Sequence, residues 1–400
     1  MSLTLNSSVH IYGAHGTFLE LIVSYDLYPY LKTFFCILAL IFSLPAICFN
    51  IINVVIFCKI GVTDSITLCF LYLALSDFGT MITLSIMTFF TLLVALEAPG
   101  TTDLPIHTFT VSVAHSMCLD IAAATTTYIA LQRGLCVAWP FLTRHTFTRN
   151  RSLAVLLTIT VLLLACELPR AVTFRYSQAA DPASNSSQML VIEYLDIYDE
   201  FNTLYLLFIR IILSFAQYII MSVCAVAIAI GMRSSIKLKS SSSTSGSQSH
   251  SNRSKNNLEI AKNTKGIPTP AKQKQLQQKE KTSTHVKREA KEDNSKKNQQ
   301  KGTKELLVIK QALTVVLLQV LCTTPGILVS VYSMVEPRFQ LGAQYNNLFF
   351  LLYGVVDMSF AINAFSNFFI YLNFNSKFKD CFKSTVHCGK ISLQTKNNRD

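Results

Sequence analysis

Long apolar runs separated by short polar segments dominate this chain. Crossing about 30 Å of hydrocarbon takes roughly 20 apolar residues in a helix. Seven runs are long enough, at about 33–58, 66–95, 106–136, 152–172, 203–232, 306–335 and 344–372. The third is the most polar, with His115 and Asp120 in its first half; the fifth carries Arg210 and the seventh Asp357. In a bilayer the backbone has no water to bond, so runs of this length must be helices. A membrane barrel would show short alternating segments instead. The predicted fold is an all-α bundle of seven transmembrane helices.

Composition agrees with this. Half of the 400 residues are hydrophobic and 14% are charged, against about a quarter charged in a soluble domain. The charges give the bundle a direction. Residues 1–31 and the loop 96–105 contain no Lys or Arg, whereas the loop 136–151 carries Arg144, Arg149 and Arg151. Lys and Arg gather in cytoplasmic loops. The N-terminus is therefore expected outside and the C-terminus in the cytosol. The parts are an extracellular segment 1–32, helices one to five over 33–233, a cytoplasmic loop 234–304, helices six and seven over 305–372, and a tail 373–400. The expected location is the plasma membrane, crossed many times. No basic, compact leader precedes the first run, which is expected to act as its own signal.

The net charge of +12 belongs to one segment. Residues 233–304 hold 18 Lys/Arg against 5 Asp/Glu, a surplus of 13, so the rest of the chain sums to −1. That segment lacks the readout elements of a nucleic-acid binder, and no nucleic-acid partner is implied. Rich in Ser, Lys, Gln and Asn, it is expected to be disordered. Its Ser run, 240–254, suits phosphorylation by a kinase and equally a plain polar linker. Asn6 and Asn185 start N-glycosylation sequons on the predicted outer side; Asn252 starts one on the inner side, where it is chance. The 11 cysteines lie in or beside apolar runs or in the tail, so no disulfide framework is expected.

Short motifs then decide among seven-span classes. Asn50 follows Phe49 in the first run, and Leu73-Ala74-Leu75-Ser76-Asp77 lies in the second. Gln132-Arg133-Gly134 closes the third, followed by Cys136 and Pro140. Cys322-Thr323-Thr324-Pro325 lies in the sixth, and Asn367-Phe368-Phe369-Ile370-Tyr371 in the seventh. In this order they resemble the rhodopsin-like G-protein-coupled receptors across all seven helices, in a divergent form similar to invertebrate orphan receptors of the peptide or chemosensory kind. Phe378-Lys379-x-x-Phe382 fits the family's short amphipathic eighth helix. The departures are definite. The Gly before Asn50, the acid before Arg133, the Trp before Pro325 and the Pro after Asn367 are all replaced. The outer disulfide is absent, since Thr108 stands at one of its positions and residues 173–203 contain no Cys.

The resemblance assigns roles. Asn50, Asp77, Asn363 and Asn367 would form a polar network between helices, which in the family can hold a sodium ion. Ala122 replaces a Ser-type ligand here, and a structural cluster without an ion is the alternative. An ionisable residue at this depth costs about 2.5–3.5 kcal/mol on insertion scales and is usually functional. Arg133 would engage a heterotrimeric G protein, with Glu305 as its resting partner and Gln132 weakening that restraint. Snorkelling of Arg133 to lipid phosphates is the bland alternative. Pro325 removes a backbone donor and is expected to kink helix six. Tyr371 completes the switch set. Arrestin joins the kinase and G protein as implied partners. Cys381 and Cys388, beside lysines, suit palmitoylation and equally free thiols.

A ligand in this fold enters from outside. His115, Asp120, Arg210 and Asp357 lie in the outer halves of their helices and are the candidate contacts. Arg210 pairing with Asp120 or Glu167 is the structural alternative. Glu193, Asp196, Asp199 and Glu200 among Tyr194 and Tyr198 make an acidic, aromatic rim that favours a cationic ligand such as a basic peptide. A solvated acidic loop is the competing account. No His-Glu-x-x-His, Walker or Gly-x-Ser-x-Gly motif is present, so no enzyme is implied. Two rivals stand beside a coupling receptor: a receptor-like protein that binds without coupling, and a small-solute transporter, for which the expected repeated halves are missing.

Overall fold

The computed structural model describes residues 27–96, 104–139, 143, 145–172, 174–180, 188–194, 206–245, 306–339 and 344–397. Within them the helices are α1 Tyr28–Ile60, α2 Ser65–Ala95, α3 Leu104–Ala138, α4 Arg149–Val172, α5 Ser214–Ser245, α6 Leu306–Val335, α7 Asn346–Phe374 and α8 Ser376–Asn397. Six of these are both long and apolar enough to cross a membrane. Of the other two, α8 has 22 residues and α3 has 35. α3 falls short on apolarity because it buries Ser116, Asp120, Thr125, Thr126 and Gln132 in the bundle.

The helices start and stop where local chemistry dictates. Asp64 caps α2, accepting from Thr67 N at 3.1 Å. α1 ends at Gly61, whose φ of +83° is open to glycine without strain. Pro325 does not break α6, which runs through it. Thr324 donates to Val320 O at 2.7 Å, the kind of back-bonding that bends a helix without ending it.

Packing is inverted relative to a soluble protein. Ser43, Asn50, Asn53, Asp77 and Gln319 are buried, whereas Ile51, Val161, Leu162, Val223 and Leu328 are exposed. Hydrocarbon outside accepts the apolar side chains, and only the interior supplies partners to polar ones. α1 packs on α2 and α7, α2 also on α3, and α3 on α4. α5 joins through Met221, Cys224 and Ala225, which share a cluster with Ala130 of α3 and Val316 of α6. α8 folds back onto α1 and α7: Phe378 is fully buried, and Lys59 Nζ donates to Thr385 Oγ1 at 3.3 Å. A second compact unit, Val226–Lys310, contains among the described residues the inner part of α5 and the first turn of α6.

Three features differ from the pattern-based expectation. Part of the segment read as a solvated outer loop is an antiparallel hairpin, β1 Phe174–Ala180 with β2 Gln188–Tyr194, added to the otherwise all-helical bundle. Its register sets Arg175 opposite Glu193. α5 continues to Ser245, past the expected loop start at 234, because extending a formed helix costs little. Before α5, Leu206–Leu213 form a π-helix. Asn6, Asn185, Asp196, Asp199 and Glu305 lie outside the described residues, as do residues 246–304 of the expected disordered loop.

α2 and α3 approach closely at Gly79. A Cβ there would lie 2.9 Å from Cys118 Sγ. Gly79→Ala is expected to destabilise the receptor by about 1–3 kcal/mol, the usual cost of overpacking. Adding Cys118→Ala should restore most of the loss. Thermal denaturation of the detergent-solubilised protein checks both, and a Gly79→Ala variant as stable as its parent would refute the close approach.

Candidate functional site

The buried polar groups form a column through the bundle. Asp77 of α2 is 4% exposed, and Asn367 Nδ2 donates to its Oδ2 at 2.8 Å. One turn outward on α7, Asn363 Nδ2 donates to Gln319 Oε1 of α6 at 2.7 Å. One turn inward stands Tyr371, fully buried among Phe57, Phe70 and Phe378 with ring centroids 5.1–5.8 Å away. Asn363, Asn367 and Tyr371 recur every four residues, so one stripe of α7 faces inward. Asn363 Oδ1, Asn367 Oδ1 and the Tyr371 hydroxyl are buried without a hydrogen-bond partner. Asn50 is turned along its own helix. It donates to Ala46 O at 3.0 Å and accepts from Asn53 Nδ2 at 3.2 Å. Of the four residues expected in one network, Asp77 and Asn367 are bonded directly, Asn363 reaches α6, and Asn50 bonds within α1. Gln319 was missed. Its only signal in the sequence is an amide in the middle of an apolar run.

At the inner end, Gln132 does not act on Arg133. Its Nε2 donates to Ser65 Oγ of α2 at 2.8 Å, and Cys69 Sγ lies 3.8 Å from its Oε1. Ser65 Oγ bonds Ser152 Oγ of α4, to which Tyr128 also donates at 2.8 Å. Neutral hydrogen bonds thus tie α2, α3 and α4 together. Among the described residues, the carboxylate within electrostatic reach of Arg133 is Asp64, the α2 cap, and Arg133 Nε and Nη2 are buried without hydrogen-bond partners. Cys381 is half-buried on α8 and packs against the large inner cluster. Cys388 is placed on the same helix by its backbone.

The outer candidates are dispersed. His115 Nδ1 lies 3.2 Å from Thr83 Oγ1 and 3.3 Å from Thr80 O, so the ring faces α2. Because Thr80 O only accepts, Nδ1 carries the proton in that contact. Asp120 and Glu167 are buried on α3 and α4. Asp357 is half-buried and within electrostatic reach of Cys36 on α1. Arg210 sits on the π-helix, a feature frequent at functional sites. Beyond α6, Phe339 is fully buried in a cluster with Val329 and Val356, bridging α6 and α7. Arg338 forks onto Glu336 at 2.7 and 3.0 Å and stacks over Tyr345. That fork holds Glu336 down at about 2. The pair is lost only as pH falls through that value, so the loop contact persists at physiological pH.

A family model described as 7 transmembrane receptor (rhodopsin family) matches residues 49–371. No curated protein matches the chain.

Breaking the Asp77–Asn367 contact should be costly, because it strips a donor from a buried carboxylate. Asn367→Leu is expected to lower stability by about 3 kcal/mol or more. Asp77→Leu combined with it should recover part of that loss. A double-mutant cycle read by thermal denaturation gives the coupling, and additive effects would show the contact to be inconsequential.

Proposed function

The chain belongs to the rhodopsin family of seven-transmembrane receptors, and we propose that it passes an extracellular ligand signal to a heterotrimeric G protein through Arg133. As a member of that family it is a multi-pass plasma-membrane receptor. The observation that carries the coupling role is Arg133 itself. Its guanidinium stands at the inner end of α3 with Nε and Nη2 buried and unbonded, so carbonyl or carboxylate groups of a partner would satisfy them once the inner end opens. Ligand contacts outside would bias the position of α6, and the partner inside reads that bias.

The ligand is a basic neuropeptide or a chemosensory cue, supported by the acidic rim around Asp196 and Asp199 and by Asp120 and Glu167 deeper in. Asp77 with the unbonded Oδ1 atoms of Asn363 and Asn367 would hold a sodium ion. One carboxylate balances one positive charge, which fits a monovalent cation. A kinase and arrestin would act on the Ser-rich inner loop, and glycosylation at Asn6 and Asn185 and palmitoylation at Cys381 and Cys388 complete the expected modifications. The second reading, a receptor that binds without coupling, draws on the replaced switch residues, Gln132 above all, which is committed to Ser65.

Nucleotide exchange on purified heterotrimeric G protein tests the coupling. Exchange above background is expected from the parent receptor, with return to background for Arg133→Ala at equal surface expression. A parent silent against a broad peptide library would favour the non-coupling reading. Charge reversal at Asp196 and Asp199 should weaken arginine-rich peptides by about tenfold, the effect of roughly 1.4 kcal/mol.

A further inference from the structure

Two adjacent residues of α7 meet two different helices. Asn367 is buried, and its Nδ2 donates to Asp77 Oδ2 of α2 at 2.8 Å. Phe368 is buried against α1, where its ring stacks on Phe49 with centroids 4.6 Å apart and planes 9° apart. Successive residues of an α-helix point about 100° apart. A helix held at one residue can still rock about that contact. Held at two neighbours that point to two helices, it has a fixed rotation. Asn367 turned away from Asp77 would leave the buried carboxylate short of a donor, so that rotation matters.

The contact at Phe49 is broad. Phe365, one turn outward on α7, tilts against the same ring at 5.3 Å and is met edge-on by Phe42 of α1 at 5.9 Å. Phe369 is exposed and meets Phe49 edge-on at 5.3 Å. Three rings of α7 thus gather around one ring of α1. Phe49 and Phe368 are also two of the replaced motif positions, standing where Gly and Pro are usual, and here they stack on each other. Glycine at 49 would offer Phe368 no ring. Proline at 368 would remove a backbone donor and kink the helix. With phenylalanine at both, α7 runs from Asn346 to Phe374 without a proline.

We propose that Phe49 and Phe368 act as one positioning pair, whose stack sets the rotation of α7 so that Asn367 meets Asp77. Phe49 has no polar atom in its side chain, so it acts on the carboxylate through Phe368 and the α7 backbone. A second aromatic contact with α1, Tyr371 with Phe57 at 5.1 Å, keeps part of the restraint. Loss of the stack therefore weakens the Asp77–Asn367 contact without abolishing it.

The test uses the full-length receptor in detergent. The cycle of Asp77→Leu, Asn367→Leu and their double variant is measured by thermal denaturation in the parent and again beside Phe49→Leu, which removes the ring and keeps an apolar side chain. The coupling between positions 77 and 367 is expected to fall by about half or more beside Phe49→Leu. A plain loss of packing would lower every Tm in the set alike and leave that coupling unchanged, and this result overturns the positioning role. A parent without measurable coupling overturns it as well, since there is then no contact to position. In a second cycle, Phe49→Leu and Phe368→Leu should each lower Tm by a few degrees, and the double variant by no more than the larger single effect. Additive shifts there overturn the pairing. Phe49→Ile takes the place of Phe49→Leu if that variant does not fold. No G protein enters either cycle, so the outcome stands whether or not the receptor couples.

Discussion

A carboxylate deep in hydrocarbon must be supplied with donors, and much of this bundle is arranged around that requirement at Asp77. Asn367 donates to it, which fixes α7 against α2. α1 packs on both of these helices, and α3 packs on α2 across the glycine at 79. Setting one buried hydrogen bond therefore constrains four helices. The same logic inverts the usual distribution of residues, with serine, asparagine and glutamine inside and isoleucine, valine and leucine against lipid. Without a hydrophobic force between helices, close packing and satisfied polar atoms hold the elements together.

The helices were legible because membrane thickness demands a length that soluble elements rarely need. Direction around each helix was not. Periodicity gives the spacing of His115 along its helix but not the neighbour it meets, and it faces α2. The order of motifs grouped Asp77 with Asn363 and Asn367, and the structure bonds Asp77 to Asn367. That order did not place Asn50, whose amide finds a closer partner one turn away on its own helix. Gln311 and Gln319 carried no signal, since a neutral amide in an apolar run looks like any tolerated polar residue until its neighbours are known. The hairpin was hidden for another reason. Seven-residue strands flanked by polar residues have little pattern of their own, and their pairing is a long-range fact.

The outer end of the bundle is held without covalent help. Family members usually tie the third helix to the second outer loop by a disulfide, and this chain has no cysteine over 173–203. Phe339 instead wedges between α6 and α7, with ring centroids 4.7 Å from Tyr332 and 5.5 Å from Phe349. Arg338 braces the turn from both sides, through Glu336 and Tyr345. Dispersion and one exposed ion pair can rearrange where a disulfide cannot.

Three glutamines at switch levels give the bundle its electrostatic character. Gln132 stands where an acid is usual and binds α2 through Ser65. Gln319 takes Asn363, and Gln311 is buried on α6. A neutral hydrogen bond contributes about 1 kcal/mol, roughly half of what one to a charged group contributes. Conformations that exchange such bonds therefore differ by little, and a ligand needs only a modest difference in affinity between them to shift their populations. The Asp77 contact is the exception: its charge makes it expensive to break, so α2 and α7 form the fixed part of the bundle. The amide contacts of α6 are the inexpensive ones, and the helix that carries Pro325 is also the helix whose polar contacts cost least to exchange.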